Sequence, residues 1–255
     1  MIRLDAATVL LQWAAGGLLF LWVTTRRREV GAGYGWLLRS IYGLMAAGAA
    51  VVGFRSGAVT VRDVAAILTA TAAATALVVS IARRSGVPEF APILDLIGPL
   101  VASVGLVAGA LDAADGGSTV AVSLLRTFVG AAFLGAVTDA MLLGHWYLVQ
   151  PGLPRRHLNE LVRALGWLWP IEVVSLLLPT GMLSVWSGAV DDGWKGQLGW
   201  YWGASAVSTI VLVFVTRAAL RERYYSAVMA ATGFLYLAIL TAFGTDLVAR
   251  AVLAG

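Results

Sequence analysis

The chain has 255 residues, 60% of them hydrophobic and 13% charged, with a mean hydropathy of +0.85. Soluble domains carry ~25% charged and ~45–50% apolar residues, so this is a membrane composition, and at ~20 apolar residues per crossing the spans leave no room for a separate soluble domain. The absence of cysteine excludes disulfides, thiolate nucleophiles and cysteine-held zinc or iron–sulfur clusters, while the formal charge of +4 lies in short basic groups between apolar runs, a distribution that argues against a nucleic-acid partner.

Eight spans are predicted in chain order. The first covers residues 6–24 and ends at Arg26-Arg27-Arg28, with its positive cluster after the apolar run, the reverse of a signal peptide. A turn spaced by Gly31, Gly33 and Gly35 leads into 35–54, then an alanine- and threonine-rich run covers 64–82 and stops at Arg83-Arg84. The fourth span is 92–111. The fifth, 119–150, is long enough to require tilt or protrusion and is stopped by Pro151-Gly152-Leu153-Pro154. The sixth, 157–178, holds Pro170 and ends at Pro179, whereas 180–195, with Asp191-Asp192 between Trp186 and Trp194, reads as an interfacial loop. Spans seven and eight are 197–216 and 224–245, the last open to a short extension. The spacings Gly105-x-x-x-Gly109 and Gly199-x-x-x-Gly203 suit close helix packing in lipid.

The expected architecture is therefore all-α, one polytopic bundle over residues 1–255. With an even number of spans, one set of loops carries Arg26, Arg27, Arg28, Arg83, Arg84, Arg155, Arg156, Arg217, Arg221 and Arg223, and the other only Arg3, Arg55, Arg62, Lys195 and Arg250. The positive-inside rule then places both termini outside a plasma (inner) membrane, and most of the positive balance becomes an orientation signal and an attraction to anionic lipid.

Ionisable side chains within spans cost ~2.5–3.5 kcal/mol on insertion scales and need a partner or a function. They are Arg39, Asp95, Arg126, Asp139, His145, Glu160, Arg163 and Glu172. Arg39 and Asp95 fall at similar depth and are expected to pair. Glu160 stands four residues after Arg156 and three before Arg163, so local helical ion pairs are expected there, while Arg126 sits alone in the outer half. Asp139 and Glu172 fall nearer the midplane and are candidate proton-relay groups. Glu172 follows Pro170, which removes a backbone hydrogen bond and frees the Gly166 carbonyl, and an unpaired carboxyl there is expected to be neutral.

His145, Trp146, Tyr147 and Arg155 bring imidazole, indole, phenol and guanidinium to one membrane surface, a mixture suited to a polar headgroup such as a quinone ring. An aromatic anchor belt is the bland account of the same residues. At ~100° per residue Asp139 shares a face with Trp146, and His145 with Thr138, so the fifth span should address two neighbours. No metal site is expected, and His145 and His157, flanking one short turn, are poorly arranged for b-type haem. The leading functional expectation is a membrane subunit or accessory protein of an electron-transfer system holding quinone or a similar lipid-soluble ligand near the cytoplasmic side, with lipids and other subunits as partners. The alternatives are a proton-coupled transporter or channel using the midplane carboxylates, and a scaffold without chemistry.

Overall fold

The computed structural model describes residues 5–57, 59–83, 91–114 and 117–253, and among these every regular element is a helix. Arg3 and Arg84, which enter the charge pattern, lie outside the described residues. The elements are α1 (Ala6–Thr25), α2 (Ala32–Ser56), α3 (Thr60–Ala82), α4 (Ala91–Asp112), α5 (Gly117–Trp146), α6 (Arg156–Leu177), α7 (Gly181–Trp186), α8 (Gln197–Arg221) and α9 (Tyr225–Val252). All but α6 and the six-residue α7 are long and apolar enough to cross a membrane. The chain is a multi-pass membrane protein.

Several elements run past the predicted spans, because hydropathy marks only the part of a helix that suits hydrocarbon, whereas hydrogen bonding carries the backbone on until a cap or turn stops it. The correction matters most at α3, which begins four residues before the apolar run, and at α9, which continues seven residues beyond it. The fifth helix is shorter than its apolar run. It ends at Trp146 because Gln150 turns back, its Oε1 accepting from Gly31 N (2.9 Å) and Trp146 Nε1 (3.2 Å) while its Nε2 donates to the Glu29 carbonyl (2.9 Å). The 180–195 segment is likewise not all loop. It holds α7, whose Trp186 lies against Gly199 and Gly203 of α8.

The start of α1 and the end of α9 lie on one face of the bundle, where Asp5 and Arg250 line a common recess, and it is here called the terminal face. Asp5 caps α1 by accepting from Ala7 N (3.1 Å) and Thr8 N (3.3 Å). Helix α1 is the most enclosed of the spans and packs against α2, α4 and α5. Contact with α5 is closest at Gly16 and Gly135, where a Cβ on either residue would run into the other helix's backbone. Lipid tails supply no hydrophobic drive between helices, so packing of this closeness, open only to glycine, does that work. Gly105 and Gly109 of α4 serve the same end, against Ala65 and Leu11 and against Thr8.

The outer surface is apolar, with Leu44, Leu100, Leu237 and Leu240 among its most exposed side chains. Exposed Trp194, Trp200 and Tyr201 gather toward the terminal face and Tyr224 and Tyr225 toward the opposite one, the distribution expected of interfacial anchors.

Candidate functional site

The charged side chains inside the bundle are resolved into pairs that link distant parts of the chain. Arg39 meets Asp95 through two bonds, Nε to Oδ1 (2.8 Å) and Nη2 to Oδ2 (2.6 Å), as depth matching predicts. The local pairs expected around Glu160 are replaced by contacts between loops. Glu160 pairs with Arg26 and Arg27, while Arg156 and His157 pair with Glu29, His157 Nε2 lying 2.6 Å from Glu29 Oε2. The reason is geometric: the turns after α1 and α5 lie side by side, and a carboxylate between two basic loops gains more from the pair it bridges than from one helical neighbour.

The four residues proposed for a headgroup site stand at one end of the bundle but bond to different neighbours. His145 is exposed and faces Tyr236 of α9, its Nδ1 3.4 Å from the phenol oxygen. Trp146 packs on Tyr34 of α2, ring centroids 5.8 Å apart. Tyr147 is buried, donating from Oη to the Pro154 carbonyl (2.8 Å). Arg155 binds the carbonyls of Glu222, Arg223 and Tyr224 and so ties the α5–α6 turn to the end of α8. Two faces of α5 are thus in use, Asp139 and Trp146 toward α2 and His145 toward α9.

Asp139 is fully enclosed. Its Oδ1 accepts from Tyr42 Oη, its backbone carbonyl from Tyr34 Oη (3.4 Å), and its Oδ2 has no partner.

Glu172 belongs to a larger constellation near the terminal face, where three helices deliver charge to one point. Its carboxyl neighbours that of Asp246 and lies in the field of the Arg126 and Arg250 guanidiniums, without a direct ion pair to either among the described residues. Arg250 Nε bonds to both Asp246 oxygens (2.9 Å each), one turn apart on α9, and Arg250 Nη2 to the Arg126 carbonyl (3.2 Å). Arg126 is not alone as its sequence position implies: it caps the end of α6 by donating to the carbonyls of Ser175 (2.9 Å) and Leu178. Neither Glu172 oxygen accepts a hydrogen bond from a donor among the described residues, and the neighbouring carboxyl of Asp246 can supply one only if the pair holds a proton. The side-chain amide of Gln12, fully buried nearby, is also without a partner. Gly130 makes the room: a Cβ there would sit 2.8 Å from Arg250 Nη2, 2.9 Å from Asp246 Oδ1 and closer still to Gln12 Nε2.

From this cluster a recess of about 590 Å³ opens at the terminal face, lined by Arg250 at its inner end and by residues of α1 to α5. Arg62, almost fully buried on its wall, is held by Asp5, by Asp63 (Nε to Oδ1, 2.8 Å) and by Thr8. Asp5, Arg62, Asp112, Asp246 and Arg250 are assigned by hydropathy to loops, which gives no sign that they converge. A signal for part of it was present, since Asp246 and Arg250 stand four apart on the stripe of small residues Ala238, Ala242, Thr245 and Ala249 that α9 buries.

Among the described residues no group of three or more histidine, aspartate or glutamate side chains is placed to hold a metal. Compared with family models, with curated proteins and with solved structures, the chain matches none.

Proposed function

We propose that the protein is a proton-coupled membrane carrier, with Glu172 as its proton-binding group. The observation that supports this reading is a fully buried carboxyl with both oxygens unbonded, set opposite a second carboxyl and behind an arginine that lines a recess. Buried polar groups in a bundle interior are expected to be satisfied, and one that is not marks a place where something binds or leaves. Arg126, Arg250, Asp246 and an ionised Glu172 sum to zero charge. Protonation takes the cluster to +1, so one proton changes the charge balance at the base of the recess.

In this reading α6 is the eighth span. Its 22 residues rise ~33 Å, and it runs beside α5 from the Tyr147 turn to the carbonyls that Arg126 caps, the same height that α5 crosses. Its four ionisable residues beyond the first, His157, Glu160, Arg163 and Glu172, account for its low hydropathy. Both termini and the recess then face outside a plasma (inner) membrane, by the loop arginines. Asp139 lies 13 residues from Arg126 on the same helix, ~20 Å along its axis, and acts as a separate protonatable station toward the inner side.

The test is proton movement into liposomes holding the purified protein, followed with an entrapped pH indicator under an imposed gradient. The wild type should move protons, Glu172→Gln should lose at least tenfold in rate with folding intact, and equal rates in the two would refute the assignment. A second reading, a quinone-holding subunit of an electron-transfer system, is favoured by one observation: exposed His145 beside Tyr236 presents a titratable imidazole and a phenol to the surface. Bound quinone in lipid extracts of the purified protein, lost on His145→Ala, would select it, and inactivity in both assays would leave a scaffold.

A further inference from the structure

We infer that the recess at the terminal face binds a small carboxylate, received by Arg250 Nη1 and the Thr127 hydroxyl, and that it does so when Glu172 carries its proton. The site itself follows from an accounting of its polar lining. The coupling to Glu172 rests on the carrier reading above.

Most polar groups on the wall are already committed. Asp5 accepts from Arg62, from the α1 amides and from Thr8 Oγ1 (2.6 Å), which uses the threonine's only hydroxyl proton. Ser56 Oγ donates to the Val52 carbonyl (2.7 Å) and Ser123 Oγ to the Ala110 carbonyl (2.8 Å). Arg62 is used by Asp5, Asp63 and Thr8.

Three groups remain. Arg250 is 2% exposed and spends Nε on Asp246 and Nη2 on the Arg126 carbonyl, so Nη1 has no acceptor among the described residues. Thr127 is 4% exposed, lines the same inner end, and its hydroxyl has no partner among the described residues. The third is Asp112, exposed and without a partner among the described residues, the last residue of α4. Two free donors at the base, one of them a guanidinium, and one free acceptor on the wall are the complement of a carboxylate whose other end is apolar or carries an ammonium. Among the described residues that line the recess, a cation would find one uncommitted acid, Asp112, and at the base it would meet a guanidinium. The volume admits a solute of a few heavy atoms with its water.

Protonation of Glu172 decides the charge this ligand meets. The groups facing Glu172 are Asp246 and Arg250 from α9 and Arg126 from α5. Helix α7 has no ionisable group, and of those on α8 Tyr201 is exposed while Arg217 and Arg221 stand at the far end. With the proton on Glu172 the cluster is +1 and a carboxylate neutralises it. With Glu172 ionised the ligand would bring an uncompensated negative charge. One proton and one carboxylate therefore enter together, with no net charge added.

The experiment is equilibrium dialysis of the full chain in mild detergent with labelled acetate and, separately, labelled glycine, in mildly acid and mildly alkaline buffer. Saturable binding of at least one solute, stronger in acid, is expected. Thr127→Val, close in shape, should weaken it about 10- to 100-fold, the loss of one hydrogen bond to a charged group. Glu172→Gln, which keeps the neutral form, should bind at both pH values. Glycine binding weakened by Asp112→Asn while acetate is unaffected identifies a zwitterion, and equal behaviour of the two solutes identifies the carboxylate alone. No saturable binding of either solute at millimolar concentration, or binding indifferent to Thr127→Val and Arg250→Lys, overturns the site. Binding without Glu172-dependent proton movement in liposomes sinks the carrier reading and leaves the site, whereas proton movement without binding does the reverse.

Discussion

Replacing Asp246 by Asn tests the buried cluster without reference to transport. In the native bundle Arg250 is neutralised by two 2.9 Å bonds to Asp246, with Glu172 alongside. Removing one partner of a buried ion pair costs ~3–5 kcal/mol because the surviving charge is left uncompensated. Here the survivor has a substitute: in Asp246→Asn, Glu172 is free to ionise and take over as counter-ion. The single change should therefore cost only ~1–2 kcal/mol, and Glu172→Gln alone, with Asp246 intact, less than ~0.5 kcal/mol. The double variant Asp246→Asn with Glu172→Gln leaves Arg126 and Arg250 with no carboxylate among the groups that face Glu172, and should cost the full ~3–5 kcal/mol, more than ~0.5 kcal/mol beyond the sum of the singles. At ~2–4 °C per kcal/mol for a chain of this size, the expected drops in melting midpoint are ~2–8 °C for Asp246→Asn and ~6–20 °C for the double variant. The ten tryptophans provide the signal for thermal unfolding in mild detergent. Additivity within ~0.5 kcal/mol would show that the two carboxyls do not serve the same arginines, and would refute the arrangement.

Three other outcomes are expected. Asp95→Ala, which strands Arg39 among α2, α3 and α4, should destabilise by ~3–5 kcal/mol, and Arg39→Met with Asp95→Leu should recover most of it; equal melting of the two variants would show that the pair is not what matters. Tyr42→Phe should cost ~1–3 kcal/mol in thermal unfolding by leaving both Asp139 oxygens unbonded, and an unchanged midpoint would refute the contact. Asp192 precedes α8 and accepts from the amides of Trp194 (2.9 Å), Gly196 (2.8 Å) and Leu198 (2.9 Å). Partial desolvation pushes its carboxyl up, but the backbone donors of Gly196, Trp194, Leu198 and Gly199 outweigh it and hold the group below the usual carboxylate range. Because the folded value is depressed, the cap is fully present above the ordinary value near ~3.9 and is lost as pH falls through the lowered one. Amide exchange at Gly196 and Leu198 should show that loss, and Asp192→Asn should abolish the pH dependence.

The membrane class and the positions of the spans were legible in sequence because transfer into hydrocarbon is a property of each segment by itself, nearly independent of its neighbours. So was the Arg39–Asp95 pair, since two opposite charges at matched depth have few other ways to be accommodated. Glu172 stood out for the same reason, as an acid inside a span beside a proline. Its partners did not. Asp246 and Arg250 lie where hydropathy has already declined, and only continuation of α9 to Val252 buries them against Arg126 and Gln12. The recess is invisible for a related reason: its walls come from Asp5, which caps α1, and from Arg62, Asp112 and Thr127 on three other helices, each unremarkable locally. The residues around the α5–α6 turn fail in the opposite sense, being adjacent in sequence yet dispersed by helical rotation onto α2, α8 and α9. Hydropathy and charge order act along the chain and fix which segments enter the bilayer. The satisfaction of a buried charge acts across it, and only the packed helices decide which partner each one meets.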